Sequence, residues 1–159
     1  MLSLEQGQQE IQNLMDTVML YQHRKPLFTR LGRAVLTDAR LNFRRQHAPD
    51  GTPWVPLKIR TGQILSDTGR LRNSLSYKTG NDEVAVGTNV KYAAVHNFGA
   101  TIRPKKAKML AFPGKNGQTV FAKKVVIPAR PFLGIEQRQI NLVQQTIEQW
   151  VKDVANRNV

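Results

Sequence analysis

The C-terminal end places the tightest constraint on the fold. Ile140, Val143, Ile147, Trp150 or Val151, and Val154 recur every three to four residues, which puts them on one face of a helix. Such a stripe has to be buried against another element. A similar pattern opens the chain. Ile11, Leu14, Met15 and Val18 follow the i, i+3, i+4, i+7 spacing after Ser3-Leu4-Glu5-Gln6, which has the form of a capping box. Gly7 weakens the first turn. Pro26 suits the first position of a second helix. Its stripe is Leu27, Leu31, Val35 and Ala39, flanked by Leu36 and Phe43. Arg40, Arg44 and Arg45 crowd its C-terminal end, where cations complement the helix dipole. Residues 1–47 thus read as a helical hairpin and 135–155 as a C-terminal helix.

Between them, residues 48–134 read as sheet and loops. Ala48-Pro49-Asp50-Gly51-Thr52-Pro53 is a turn. Trp54, Val55 and Leu57 interleave with Pro53 and Pro56, so this stretch is extended, cannot form a full ladder, and sends Trp54 into the core. Ser66-Asp67-Thr68-Gly69 can cap a short helical turn through Leu71. Ser74 to Thr79 and Glu83 to Thr88 are strand-like around Gly80-Asn81-Asp82, a hairpin. Lys91 to Asn97 is a short helix that Gly99 can end. Met109 to Phe112 and Thr119 to Ile127 flank Pro113-Gly114-Lys115-Asn116-Gly117 as a second hairpin. The expected architecture is α+β: an antiparallel sheet of two hairpins, packed by the helical hairpin and the C-terminal helix. With 159 residues, no internal repeat and no shift in composition, a single domain over 1–159 is expected.

Charge narrows the function. Lys and Arg total 24 against 11 acids, a formal +13. A field of that sign favours an anionic contact: nucleic acid, an acidic partner or a membrane surface. No apolar run of about 18 residues is present, so no transmembrane helix is expected. Met1 to Glu10 lacks a basic n-region and an apolar h-region, so no signal peptide is expected. Cysteine is absent, which excludes disulfides and thiolate metal sites and fits a reducing cytoplasm.

Reactive constellations are not visible. His23, His47 and His96 have no metal-ligand spacing. Gly114-Lys115-Asn116-Gly117 has the wrong spacing for a phosphate loop and suits a hairpin tip. Asp50, Asp67 and Asp82 are explained by turns and caps. His96-Asn97 alone is no nuclease centre, because the accompanying metal–phosphate apparatus is missing. No enzyme, cofactor or metal site is expected. The conspicuous cations are Lys105, Lys106, Lys108, Lys115, Lys123 and Lys124, with Arg103 beside them. The second hairpin could gather these on one protruding arm, which would touch DNA or an acidic partner. They could equally keep an edge strand soluble. Few aromatics interleave with them, so DNA contact would be directed to phosphate, without base reading. Arg60, Arg70 and Arg72 form another basic group.

Three stretches in order carry a resemblance. They are Asp50-Gly51-Thr52-Pro53-Trp54-Val55-Pro56-Leu57 followed by Ile64-Leu65-Ser66-Asp67-Thr68-Gly69-Arg70-Leu71-Arg72-Asn73-Ser74; Val86-Gly87-Thr88-Asn89-Val90-Lys91-Tyr92-Ala93-Ala94-Val95-His96-Asn97-Phe98-Gly99; and Ile127-Pro128-Ala129-Arg130-Pro131-Phe132-Leu133-Gly134. Together they resemble the phage virion morphogenesis (tail completion) family, with examples in Mu-like phages and prophages. The resemblance implies a structural protein of the virion neck or tail, made in the host bacterial cytoplasm. It would act at the head–tail junction by forming a ring of its own copies beside neighbouring neck and tail proteins, with non-specific DNA contact and no membrane. The basic region from Lys105 to Lys124 matches none of the family's motifs. Arg130, stiffened by prolines, suits a salt bridge within or between subunits, and Phe132 is either core or subunit interface. The competing reading is a monomeric basic nucleic-acid-binding module without catalysis. Oligomeric mass separates the two.

Overall fold

A computed structural model describes residues 4–19, 21–58, 61–114 and 117–156. The elements in chain order are helix α1 (Leu4–Val18), α2 (Lys25–Arg45), α3 (Arg70–Asn73), strands β1 (Ser76–Thr79) and β2 (Val84–Gly87), α4 (Ala93–Phe98), β3 (Ala100–Ile102), β4 (Leu110–Pro113), β5 (Thr119–Ala122), β6 (Val125–Ile127) and α5 (Gln137–Ala155). The fold is α+β, with helices at both ends and antiparallel strands between. The capping box expected at Ser3 lies outside the described residues.

Helix α5 is the packing partner of both N-terminal helices. Val18, Leu27, Phe28, Leu31, Ile147 and Trp150 form the cluster where the three meet. Tyr21 sets its ring edge-on to Trp150 at 5.3 Å. Gly7, expected only to weaken α1, is buried at this contact: a Cβ there would lie 2.9 Å from Cγ2 of Ile140. Its missing side chain lets α1 approach α5 closely. On α2 Leu36 joins the buried residues, while Val35, expected in the buried stripe, stays half-exposed.

A second cluster surrounds Phe43, Trp54 and Phe132, whose rings pack at centroid distances of 5.5 Å (Phe43–Trp54) and 5.1 Å (Phe43–Phe132). Trp54 is buried as expected, and its indole Nε1 donates to the carbonyl of Pro131 at 2.7 Å, the partner a buried tryptophan needs. Between the clusters runs a polar seam. Asp38 of α2 pairs with Arg138 at 3.0 Å and accepts from Gln139 Nε2 at 2.7 Å, while Arg138 also donates to Asn42 at 2.7 Å. Asn42 in turn donates to the carbonyl of Phe132 at 3.2 Å. The seam pairs the Asp38 carboxylate and the side-chain amides of Asn42 and Gln139, as burial requires, while Arg138 Nε is buried without a hydrogen-bond partner among the described residues.

Among the described residues the strands lie in three two-stranded antiparallel ladders, β1 with β2, β3 with β6 and β4 with β5, in place of one sheet. The long strand expected over Thr119 to Ile127 is divided. Its second part leaves β4 and pairs with β3, a strand the sequence did not signal. At the turn before α3, Gly69 takes the cap position with φ 71°, and the Thr68 hydroxyl accepts from the N–H of Arg70 at 3.3 Å. Leu71 is buried.

Arg24 ties the start of α2 to the β1–β2 turn through a 2.6 Å ion pair with Asp82. That hydrogen bond holds the Asp82 carboxyl below its ordinary range, and the N–H of Thr52 does the same for Asp50. A carboxyl depressed in the folded state stabilises above its unfolded pKa and loses that contribution as pH falls through the folded value. Stability should therefore be insensitive to these two groups at neutral pH and decline below about pH 4. Asp82→Asn should shallow that acid decline in a pH series of thermal melts. An unchanged decline would remove Asp82 from its cause.

Candidate functional site

The three stretches that carry the family resemblance meet in space. Asn97 in α4 is buried, and its Oδ1 accepts from the N–H groups of Phe132 and Leu133 at 2.9 and 3.1 Å. Its Nδ2 donates to the carbonyl of Leu133 at 3.2 Å. Arg130 N–H donates to the carbonyl of His96 at 2.8 Å. The Arg130 guanidinium turns the other way, donating to the carbonyls of Val55 and Pro56 at 2.8 and 3.2 Å. One buried junction thus joins the Trp54 segment, α4 and the Pro128–Gly134 link. The sequence order of the motifs concealed this, because Arg130 and Val55 are far apart along the chain.

The junction is also a root. Gly99 ends α4 at φ 73°, and a Cβ there would lie 2.9 Å from the backbone nitrogen of Ala129. Only glycine gives both the left-handed turn and the close approach. From that point residues 100–127 form a two-ladder arm, and the end of its β4 strand, Phe112 to Gly114, borders a cleft with Pro56, Leu57 and Lys58 of the body. β3 and β6 form its base (Ala100↔Ile127, Ile102↔Val125), and β4 and β5 its outer part (Leu110↔Ala122, Pro113↔Thr119). No described residue from 100 to 127 is buried, and none belongs to either core cluster.

Five of the lysines named from the sequence fall in this segment among the described residues. Residues 103–109 fill the interval between the ladders on the outgoing side, and Lys123 and Lys124 fill it on the return. Lys105, Lys106, Lys108, Lys123 and Lys124 are all exposed at this one level. Lys123 and Lys124 sit in the break between β5 and β6, not within a strand as expected. Lys115 lies outside the described residues, as does Arg60 of the other basic group; Arg70 is exposed and Arg72 half-buried. The chain has no Asp or Glu between Glu83 and Glu136, so the arm carries no neutralising charge of its own.

Arg130 and Phe132, expected as subunit-interface candidates, are instead buried within this chain, Phe132 at 1% exposure and Arg130 at 7%. Phe132 is core because its ring closes on Phe43. The guanidinium of Arg130 is occupied with backbone carbonyls at the junction.

An apolar groove of about 910 Å³ lies between α1, β2, α4 and α5. Ile11, Val84, Val86, Ala94, Ile140 and Val143 line it. Phe98 and Ile135 stand at its lip, 78% and 76% exposed. Sequence reasoning missed this feature. Both side chains neighbour motif glycines, Phe98 at the end of α4 and Ile135 just before α5, and their exposure follows from how those elements pack. Among the described residues, no cluster of three or more His, Cys, Asp or Glu could hold a metal ion, and no helix is long and apolar enough to cross a membrane.

Fold and site define a small α+β domain whose chemistry lies in presented surface, a rooted cationic arm and an open apolar groove. The phage virion morphogenesis family matches residues 2–152, and the chain belongs to that family. It is 38% identical to the Mu-like prophage FluMu G protein 2 of Haemophilus influenzae over 111 residues, 70% of this chain and 66% of that relative, just under two thirds. It is 24% identical to tail completion protein S of Escherichia phage P2 over 138 residues, 78% of this chain and 81% of that protein. No solved structure matches the chain significantly.

Proposed function

We propose that the chain is a structural virion protein of the head–tail junction, acting in tail completion as a ring of its own copies against neighbouring neck and tail proteins, without catalysis. The observation that carries this is the arm. It is firmly rooted by Gly99, Asn97 and Arg130, yet it has no buried residue among those described and no internal acid. An isolated two-stranded ladder is marginal in water, so an arm of this kind suits contact with something outside the chain. The name of the P2 relative supports the tail-completion station. Deleting the gene should leave filled heads and separate tails that fail to yield infectious particles. Adding back the wild-type protein should restore them. Normal yield without the gene would refute the assembly role. Nuclease, protease and glycosidase assays should read blank, and His96→Ala should affect stability or assembly alone; a metal-dependent turnover abolished in His96→Ala would overturn the non-enzymatic reading.

Lys105, Lys106, Lys108, Lys115, Lys123 and Lys124 give the ring a positive surface for DNA passing along the axis or for an acidic partner surface. Lysines are flexible point charges and do not make the bidentate clamp of arginine, which suits DNA that must slide through. Binding should be weak, independent of sequence and steeply salt-dependent. Changing all six to Gln should lower the log–log salt slope by up to about five, since each phosphate no longer neutralised removes roughly 0.9 from it. The melting temperature should hold, because the described members are exposed. An unchanged slope would exclude the arm from DNA contact. A monomeric nucleic-acid-binding module would share the salt dependence but remain at 18.0 kDa in all its assemblies.

A further inference from the structure

The two surfaces left open by the fold complement each other. Paired strand residues share a face, so Ala111, Phe121, Pro113 and Thr119 form one side of the outer arm and Leu110, Phe112, Val120 and Ala122 the other. The second set is half-buried, and Phe112 faces a cleft shared with Pro56 and Leu57. The first set faces outward, with Phe121 62% exposed. On the other side of the match is the groove, with Phe98 and Ile135 at its lip.

Charge selects the occupant. Residues 1–23 contain Glu5, Glu10 and Asp16 but no Lys or Arg, in a chain of formal charge +13. On α1, Glu5, Gln8, Gln12 and Asp16 follow one another at steps of three or four residues, so they lie along one side of the helix. Gln8 and Ile11 line the groove beside Lys91, so α1 forms one of its walls, and Glu5 and Asp16 lie on the exposed side of that helix, outside the lining itself. Two copies of so basic a chain repel at a distance. They can approach only where opposite local charges face each other, and this chain carries both signs on different surfaces.

We propose that the groove of one copy receives the arm of a second copy, with Phe121 entering beside Phe98 and Ile135 and with Lys123 and Lys124 facing Glu5 and Asp16. The contact joins unlike surfaces, so it repeats head-to-tail and closes into a ring when the rotation permits. It rests on the ring reading above and supplies that reading's interface. Lys105, Lys106 and Lys108, on the outgoing side of the arm, remain free for phosphate.

The chain has no cysteine, so a disulfide trap reads the contact directly. Phe98→Cys with Phe121→Cys, both at exposed positions, should give on oxidation a ladder of species stepping by 18.0 kDa. The ladder should appear in concentrated protein or in assembled particles, at least tenfold stronger than with Thr37→Cys and Phe121→Cys, where Thr37 is exposed on α2. Lys123→Glu with Lys124→Glu should abolish it, and adding Glu5→Lys and Asp16→Lys to the same chain should restore it, which a merely structural defect would not permit. No ladder above the control in either setting, or no rescue by the charge swap, overturns the docking. Particles that contain several cyclically arranged copies without this cross-link would leave the ring standing and remove only the interface. A single copy per particle would remove the ring itself.

Discussion

Asn97→Leu is expected to destabilise the protein by about 2–5 kcal/mol, the sum of broken and unsatisfied hydrogen bonds at a buried site. The substitution keeps the branched heavy-atom skeleton, in a somewhat larger side chain, but removes both bonds accepted from Phe132 and Leu133 and the one donated to Leu133. Two backbone N–H groups are then left in a junction where burial withholds water. Against a usual total of about 5–15 kcal/mol, that is a large fraction. Asn97→Asp should fall between, since the carboxylate still accepts both bonds but sets a charge against the carbonyl of Leu133. Urea unfolding midpoints at constant slope check the order: wild type, then Asp, then Leu. A Leu variant within about 0.5 kcal/mol of wild type, the range of ordinary surface changes, would mean that the junction does not anchor the arm.

Phe132→Ala should cost about 3–5 kcal/mol, the usual penalty for emptying an aromatic core site. The ring is 1% exposed and closes on Phe43. Phe98→Ala, on the same junction but 78% exposed, should change stability by less than about 0.5 kcal/mol while weakening assembly. The pair separates a residue that holds the fold from one that presents a surface. Similar stability losses for both would place Phe98 in the core and remove the groove as an open site.

The end helices were legible because their apolar spacing is long and regular, and α2 and α5 needed nothing else. Trp54 was legible because proline on both sides leaves an extended chain and a large ring with no other place to go. The β1–β2 hairpin followed from Gly80-Asn81-Asp82. The β3–β6 pairing was not legible: three-residue strands have too few positions to show alternation, and the partner strand had already been assigned to the second hairpin. Asp38, Asn42 and Gln139 on buried helix faces were missed for a related reason. Apolar periodicity passes over polar residues, and their partners come from another helix about 100 positions away. For the site, the lysines could be named and their arm foreseen from the hairpin. What the arm is rooted in could not, because Asn97, Arg130 and Val55 come together only through tertiary packing.

A ring at the head–tail junction requires assembly in multiple copies there. Imaging of intact virions, with the chain located by a small tag on the exposed Thr37 face and its copies counted by quantitative mass spectrometry, tests it most directly. Several copies are expected, arranged cyclically about the tail axis where the tail meets the head, with residues 100–127 of each reaching the next. Virions in which the chain is absent, present once, or placed away from the junction would contradict it.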